Sequence, residues 1–324
     1  MSSEKSTQEK TTLHPRNKNR ERYDLSALII AVPELASYIK PNKFGDDSVD
    51  FASPIAVKFL NKALLKHYYG VAYWDFPEDN LVPPIPGRAD YIHYMADLLT
   101  ESNFGRKPAG NKITCLDVGT GASCIYPILG VIEYGWNFIA SDVNAESLAS
   151  AQDIITGNPL LDGKVDCRLQ NNHQAFFDGI ITANDKVDIT VCNPPFHASA
   201  IEASSGAKRK VQNLSGKKVK TPELNFAGIS SELIYDGGEH QFIHDMIADS
   251  KRFSKACYWF STLVSKQSNL KGIYKALDTF KAVAVKTIEM GTGNKSTRIV
   301  AWTFLTKEEQ KAWRDTNWKS TVKE

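Results

Sequence analysis

Apolar and polar residues follow two different periods along the chain from residue 113 onward. Short apolar runs predict strands, which lie near 113 to 118, 137 to 142, 165 to 169, 187 to 192, 256 to 264, 281 to 289 and 297 to 305. Amphipathic stretches predict helices near 124 to 134, 145 to 156, 174 to 183, 239 to 254 and 269 to 280. Since no helix separates the last two strands, we expect an antiparallel hairpin at the end of an otherwise parallel sheet. The pattern predicts an α/β, Rossmann-like fold with a seven-stranded sheet.

The regions that flank this α/β domain, which spans 106 to 306, have other patterns. From 25 to 105, apolar positions recur at helical spacing between proline-containing turns, which predicts a helical N-terminal extension. Residues 1 to 24 lack apolar periodicity, and we expect them to form a disordered basic tail. Residues 307 to 324 form a charged C-terminal tail around two tryptophans.

The first predicted strand runs into a glycine turn and then into a helix. This turn supplies four candidate cofactor contacts: Asp117, Gly119, Gly121 and Ser123. Glycines let a ligand approach the backbone closely, and Asp142 at the end of the next strand is suited to ribose hydroxyls. Cys124 stands where a dinucleotide fingerprint has its third glycine, which weakens a pyrophosphate site. The pattern predicts a nucleoside cofactor, and S-adenosylmethionine, which has no phosphates, fits it.

A second motif, Asn193-Pro194-Pro195-Phe196, follows the fourth predicted strand. The exocyclic amine of a nucleobase is a poor nucleophile because its lone pair is delocalised into the ring. The side-chain carbonyl of Asn193 and the main-chain carbonyl of Pro194 would each accept one amine hydrogen, and Phe196 would stack on the base. Pro194 and Pro195 fix the backbone before a substrate arrives. The alternative is an ordinary turn at a strand end, where Asn-Pro is common.

Two basic clusters stand out against a net charge of +2. The first lies in the N-terminal tail and supplies Arg16, Lys18 and Arg20. The second lies in a basic insert at 203 to 222, which contains no acidic residue and supplies Lys208, Arg209, Lys210, Lys217 and Lys218. We expect these cations to contact RNA phosphates. The alternative is that both segments are solvated and bind nothing.

Composition narrows the class of protein. With 324 residues, of which 42% are hydrophobic and 23% charged, the chain is typical of globular proteins. It has no apolar run of about twenty residues and no hydrophobic signal segment, so we expect a cytoplasmic protein without a membrane partner. Its five cysteines include no Cys-x-x-Cys pair, and His240 and His244 have no third ligand nearby. We therefore expect neither disulfides nor a metal.

Together with Pro86-Gly87-Arg88-Ala89-Asp90-Tyr91-Ile92-His93 and Gly237-Gly238-Glu239, the two motifs resemble the ribosomal large subunit methyltransferase F family, the 23S rRNA (adenine(1618)-N(6))-methyltransferases. The likeness covers about 19 to 305, most of the chain, and the family is similar to a eukaryotic methyltransferase of U6 small nuclear RNA. It implies the class I methyltransferase architecture and S-adenosylmethionine as cofactor. It also implies methyl transfer to N6 of one adenine in 23S ribosomal RNA, free or within a large-subunit assembly particle.

The resemblance implies roles for single residues. Asn193, Pro194 and Phe196 would surround the target adenine, and Gly119 and Ser123 would lie in the cofactor turn. Arg88 would reach the methionine carboxylate of the cofactor, and Asp142 its ribose. Many methyltransferases have an acidic residue beside the cofactor adenine, and here Asn171 and Asn172 lie in that segment, where we expect cofactor contacts.

Two other functions stay open from the sequence. One is methylation of another amine, such as a release-factor glutamine or a DNA base, although the glutamine enzymes usually have Tyr at the position of Phe196. The basic insert also favours a polyanionic substrate. The other is a non-catalytic RNA-binding assembly factor, which the intact Asn193 and the intact glycine turn disfavour. We expect the protein to be a monomer.

Overall fold

The computed structural model describes residues 12–42, 44–199, 202, 230–292 and 295–319. The seven strands of its main sheet are β3 (Thr114–Val118), β4 (Asn137–Asp142), β5 (Val165–Leu169), β6 (Val187–Cys192), β7 (Cys257–Val264), β8 (Ala284–Thr292) and β9 (Lys295–Thr303). Their order is β5-β4-β3-β6-β7-β9-β8. Strands β3 to β7 pair in parallel, whereas β9 pairs antiparallel with both β7 and β8. This confirms the predicted class I methyltransferase sheet and its terminal hairpin.

The sheet positions the site because its parallel strands all end at one edge. The central strand β6 is buried at every position, and β3 is buried at all but its first, since helices cover both faces of the sheet. The covering helices are Ile125–Tyr134, Ala145–Thr156, Gly238–Arg252 and Leu270–Thr279. The predicted helix at 174 to 183 is wrong, because these residues form consecutive turns. The backbone amides of Phe176 and Phe177 donate to the Asp249 side chain instead of to carbonyls of a helix.

The N-terminal extension contains the helices Leu25–Ala31, Pro54–Tyr69 and Ile85–Ser102. It also contains a small antiparallel hairpin of β1 (Ile39–Pro41) and β2 (Asp47–Val49), which the sequence did not predict. The apolar faces of the three helices belong to the same hydrophobic core as one face of the sheet. The extension is therefore packed on the sheet, and Ile85–Ser102 brings its first turn to the sheet edge. None of the helices in the described ranges is both long and apolar enough to cross a membrane.

The expectation of a disordered tail up to residue 24 is wrong for residues 12–24. The imidazole of His14 and the amide of Asn17 are both buried. His14 N and Asn17 Nδ2 donate to one oxygen of Asp90, at 3.0 and 2.5 Å, inside the helix Ile85–Ser102. These partners lie more than 70 residues away in sequence, so local composition gave no sign of them.

The C-terminal residues 307 to 319 are also packed on the rest of the protein. The helix Lys307–Trp313 continues into a wider turn, Arg314–Trp318. The indole nitrogens of Trp313 and Trp318 each donate to Asp188 Oδ1 at 2.7 Å, and Thr114 N donates to its other oxygen at 2.8 Å. Burial raises the pKa of Asp188 to about 6, against the lowering effect of these three donors. Asp188 thus fastens the C-terminal segment to the amino ends of the central strands.

Candidate active site at the carboxyl edge of the sheet

A cavity of about 370 Å³ lies at the carboxyl ends of β3, β4, β5 and β6. Three parts of the chain form its wall. The strand ends contribute the glycine turn, Asp142 and Asn193; the N-terminal extension contributes Leu81, Pro83 and Arg88; the segment before and within the helix Gly238–Arg252 contributes Glu232, Tyr235 and Phe242. The volume lies in the usual range for small-molecule sites, and the position is the one where α/β sheets bind ligands.

The glycine turn is held to the neighbouring strand by its own backbone. The amides of Gly119 and Thr120 both donate to Ser141 O at 2.9 Å. Gly119 has φ of +76°, and a side chain there would extend into open space, so its backbone faces the cavity without obstruction. Ser123 also lines the cavity, and its main-chain carbonyl accepts from the buried indole of Trp74 at 2.9 Å. These hydrogen bonds fix the shape of the turn.

Asp142 lies at the end of β4 and lines the cavity beside this turn. Its Oδ2 accepts from Gly121 N at 2.8 Å, and its Oδ1 accepts from Asn144 N at 2.9 Å. Burial raises the pKa of its carboxyl group, while these amides lower it. Each carboxylate oxygen retains acceptor capacity toward the cavity, which suits a pair of vicinal hydroxyls.

Asp117 was expected to contact the cofactor, but it does not line the cavity and is fully buried beneath the glycine turn. Burial raises the pKa of its carboxyl group to about 7, and the nearby Arg88 and Thr120 lower it only in part. Among the described residues, no hydrogen bond of good geometry reaches either oxygen. Asp117 therefore lies behind the turn and not in the cavity wall.

Arg88 supplies a cation to the opposite wall. It lies in the first turn of the helix Ile85–Ser102, and its guanidinium carbon is 5.6 Å from the ring centroid of Tyr126. Both side chains line the cavity, and the guanidinium lies over the ring within cation–π distance. A guanidinium at the cavity wall can bind a carboxylate through two parallel hydrogen bonds.

The loop after β5 corrects another expectation. Asn171 and Asn172 are exposed and line a separate surface depression, whereas Gln170, His173 and Phe176 line the cavity. The turn at Asn172, whose Oδ1 accepts from Gln174 N at 3.0 Å, directs the two asparagines away from the cavity. The loop therefore reaches the cavity, but through residues other than the two asparagines.

The Asn193-Pro194-Pro195-Phe196 segment leaves β6 at the cavity wall. Asn193 and Pro195 line the cavity, Pro194 is buried, and Phe196 is half-buried. The side-chain oxygen of Asn193 is buried and has no hydrogen-bond partner among the described residues. A buried amide oxygen without a hydrogen bond costs free energy. Such an oxygen is expected to bind a ligand or a water molecule.

The predicted RNA-binding cations divide into two groups. Lys208, Arg209, Lys210, Lys217 and Lys218 lie outside the described residues. In the N-terminal group, Arg16 pairs with Asp97 at 2.6 Å and Lys18 pairs with Glu133 at 2.6 Å. Burial raises the pKa of Asp90, and the charge of Arg20 is one of the influences that lower it in part. Arg16 and Lys18 thus form ion pairs with the protein's own carboxylates, and a contact of these cations with RNA stays a prediction.

The sequence missed several residues of the cavity wall. Glu232 accepts from Leu81 N at 3.0 Å and so joins two parts of the wall. Tyr235 and Phe242 make an aromatic wall, with ring centroids 5.0 Å apart. Their only local signal is Gly237-Gly238, where positive φ at both glycines turns the chain between the two aromatic residues. Over the described ranges no group of three His, Cys, Asp or Glu side chains is arranged to hold a metal ion.

Comparisons with known proteins agree with this geometry. A sequence model of an RNA methyltransferase family matches residues 7–306. The "Ribosomal RNA large subunit methyltransferase F" of Cytophaga hutchinsonii is 53% identical over 310 residues, covering 96% of both chains. The human METTL16 catalytic domain, solved with a MAT2A 3'UTR hairpin, has a TM-score of 0.77 at 28% identity, covering 91% of this chain and 96% of that one. The N-terminal domain of human METTL16 with SAH has a TM-score of 0.72 at 24% identity, covering 91% and 99%, and shares the fold.

Proposed function

The chain belongs to the RNA methyltransferase family and, within it, to the ribosomal RNA large subunit methyltransferases F, and from this premise we propose that it transfers a methyl group to N6 of a specific adenine in 23S ribosomal RNA. One observation carries the proposal beyond the family name. The buried, unpartnered Oδ1 of Asn193 lies in the cavity wall directly after β6. An amino group is the complementary donor, and N6 of adenine supplies one.

S-adenosylmethionine is the cofactor, and the donor set of the cavity fits it. Arg88 would hold its carboxylate, Asp142 its ribose hydroxyls, and the open backbone at Gly119 would allow its chain to pass close to the turn. A relative in the same fold, human METTL16, was solved with SAH. When bound, the cofactor supplies an electrophilic methyl carbon on a sulfonium.

The residues of this chain would activate the amine by position and by dipoles. Asn193 Oδ1 and the Pro194 carbonyl would each accept one hydrogen of N6, which favours a pyramidal nitrogen with an available lone pair. Phe196 would stack on the target base after its extrusion from the RNA. The nitrogen becomes acidic only after methylation, so water can take the proton and no strong base is needed. Catalysis then rests on preorganised geometry.

The RNA would be held in part by the basic insert. Lys208, Arg209 and Lys210 follow Phe196 by about a dozen residues and lie on a segment without acids. Each phosphate contact contributes sequence-independent affinity that weakens with salt. Replacing these three cations with Gln should weaken RNA binding and reduce the slope of log affinity against log salt by about two. A slope equal to that of the wild type would show that the insert does not contact RNA.

A direct test compares possible methyl acceptors. The purified protein, labelled S-adenosylmethionine and one of three acceptors (ribosomal RNA, DNA or a release factor) are incubated, and the labelled product is identified by mass spectrometry. We expect N6-methyladenosine in ribosomal RNA alone. We further propose that the enzyme is cytoplasmic and monomeric. Label in glutamine or DNA would support methylation of another amine. No label anywhere, with no cofactor binding by calorimetry, would support a non-catalytic assembly factor.

A further inference from the structure

The helix Gly238–Arg252 holds a wall of the cofactor cavity through a carboxylate that does not itself line the cavity. Asp249 Oδ2 accepts from the backbone amides of Phe176 and Phe177, each at 2.9 Å, and lies 3.5 Å from the amide of Asp178. The Asp249 side chain is only 9% exposed. Three consecutive amide donors thus converge on one carboxylate oxygen, and hydrogen bonds to a carboxylate are stronger than those to a neutral acceptor.

The loop that Asp249 holds, residues 170 to 178, extends the cavity wall beyond Asp142. Gln170 N donates to Asp142 O at 2.8 Å, so the loop starts beside the ribose carboxylate. Gln170 then closes the loop with its own side chain, whose amide nitrogen donates to Asp178 O at 2.8 Å. Between these two anchors, His173 and Phe176 line the cavity. A nucleoside held at Asp142 by its ribose would place its base against this loop.

The same helix supports the loop through packing as well. Phe242 meets Phe176 edge to face with ring centroids 4.8 Å apart, and both line the cavity. Arg252 donates to Asp249 Oδ1 at 3.2 Å and to Asp178 Oδ2 at 3.1 Å, which orients the carboxylate toward the amides. Phe242 and Asp249 are seven residues apart, so they lie on the same face of the helix.

We propose that Asp249 is a positioning residue for the cofactor's adenine: by holding the amides of residues 176 to 178, it sets the loop wall against which the base binds. The inference rests on the proposed function, because it assumes S-adenosylmethionine in this cavity. Asp249 does not line the cavity, so it would not touch a cofactor bound there. Its effect should therefore appear in cofactor affinity and not in the rate of methyl transfer at saturation.

The chain offers a matched control on the same helix. Glu239 is buried, and it accepts from Ser265 N at 2.7 Å and from Lys266 N at 3.2 Å. It fixes a different loop, which does not line the cavity. Replacing Glu239 thus weakens the same kind of hydrogen bond, from a backbone amide to a carboxylate, without altering the cavity wall. The variant therefore shows how a loss of stability alone affects cofactor binding.

The test uses calorimetry with S-adenosylhomocysteine and steady-state methylation of ribosomal RNA, on the full chain. We expect Asp249→Asn to raise the dissociation constant and the KM for S-adenosylmethionine about tenfold, with kcat within about twofold of wild type. Glu239→Gln should lower the thermal midpoint and leave both cofactor constants unchanged. Arg252→Gln, a surface change that keeps the fold, should give a smaller rise of about twofold.

Three outcomes would overturn the inference: unchanged affinity in Asp249→Asn, an equal loss of affinity in Glu239→Gln, or a fall in kcat with KM unchanged. If Asp249→Asn does not fold, Arg252→Gln decides, and wild-type affinity in that variant counts against the proposal. Failure of the wild-type protein to bind S-adenosylhomocysteine would instead contradict the proposed function. The two failures are therefore distinguishable.

Discussion

The two ends of the central strands differ in whether their buried side-chain oxygens accept hydrogen bonds. At the amino end, the Asp188 carboxylate receives three donors, from Thr114, Trp313 and Trp318. At the carboxyl end, Asp117 and Asn193 are buried or half-buried with side-chain oxygens that have no partner among the described residues. The same two strands, β3 and β6, carry both ends. The satisfied acceptor Asp188 fastens the fold, whereas the unsatisfied acceptor of Asn193, which lines the cavity, keeps its capacity for a ligand.

The largest expected effect is at Asn193. Because its Oδ1 makes no bond within the described protein, Asn193→Ala should lower kcat about 100- to 1000-fold, as loss of a preorganised dipole does, and leave the thermal midpoint unchanged. The measurement is methyl transfer to ribosomal RNA at saturating cofactor, with calorimetric unfolding in parallel.

Asn158 is the control of the same residue type. Its Oδ1 accepts from Ala72 N at 2.7 Å, and its Nδ2 donates to Ile154 O at 2.7 Å. Asn158→Ala should therefore lower stability and preserve kcat. Full turnover in Asn193→Ala, or a loss of stability as large as that of Asn158→Ala, would erase the contrast between the two kinds of acceptor.

The next effect is a pH dependence from Asp117. Burial raises the pKa of its carboxyl group to about 7, well above the unfolded value, so the folded state retains a proton that the unfolded state has lost. The stabilisation from this group is complete below about pH 4 and is lost as pH rises through about 7. Asp117→Asn removes the titration.

Unfolding in urea at pH 5 and at pH 8 would check this effect on the cofactor-free protein. Relative to the variant, the wild type should lose on the order of 3 kcal/mol of unfolding free energy between pH 5 and pH 8. A difference between the two proteins that stays constant over this range would mean that Asp117 does not titrate there.

A smaller effect is expected at the other end of the strands. Asp188→Ala leaves two buried indole donors and one backbone amide without their acceptor, so it should lower the free energy of unfolding by about 2 kcal/mol. The methylation rate per folded molecule should not change, because the site is at the opposite edge. Unaltered stability, or a large loss of kcat in the folded protein, would remove the distinction between the two ends.

The same comparison explains what the sequence could predict. The seven strands and the glycine turn followed from local apolar patterns, because each strand of a parallel sheet is buried on both faces. The Asn193 motif and Asp142 were found at strand ends, where α/β sheets place their ligands. Arg88 was identified by resemblance alone, since nothing local distinguishes it from a surface residue at the start of a helix.

The errors arose where distant partners decide the structure. Asp249 lies about 70 residues from the amides that it holds, and it prevents the predicted helix at 174 to 183. His14 and Asn17 are ordered by Asp90, and Trp313 and Trp318 by Asp188. In each case one largely buried carboxylate organises a segment whose own composition is typical of a loop or a tail. Such pairing is a tertiary effect and leaves no periodic signal.

The central claim is that Asn193 Oδ1 accepts a hydrogen from the amine to be methylated. A crystal structure with S-adenosylhomocysteine and a ribosomal RNA fragment that contains the target adenosine would measure the distance between Asn193 Oδ1 and N6. The account predicts about 3 Å, with the base extruded into the cavity beside Phe196. An adenine bound with N6 directed away from Asn193, or a cavity that holds the cofactor with Asn193 Oδ1 bonded to the protein, would contradict it.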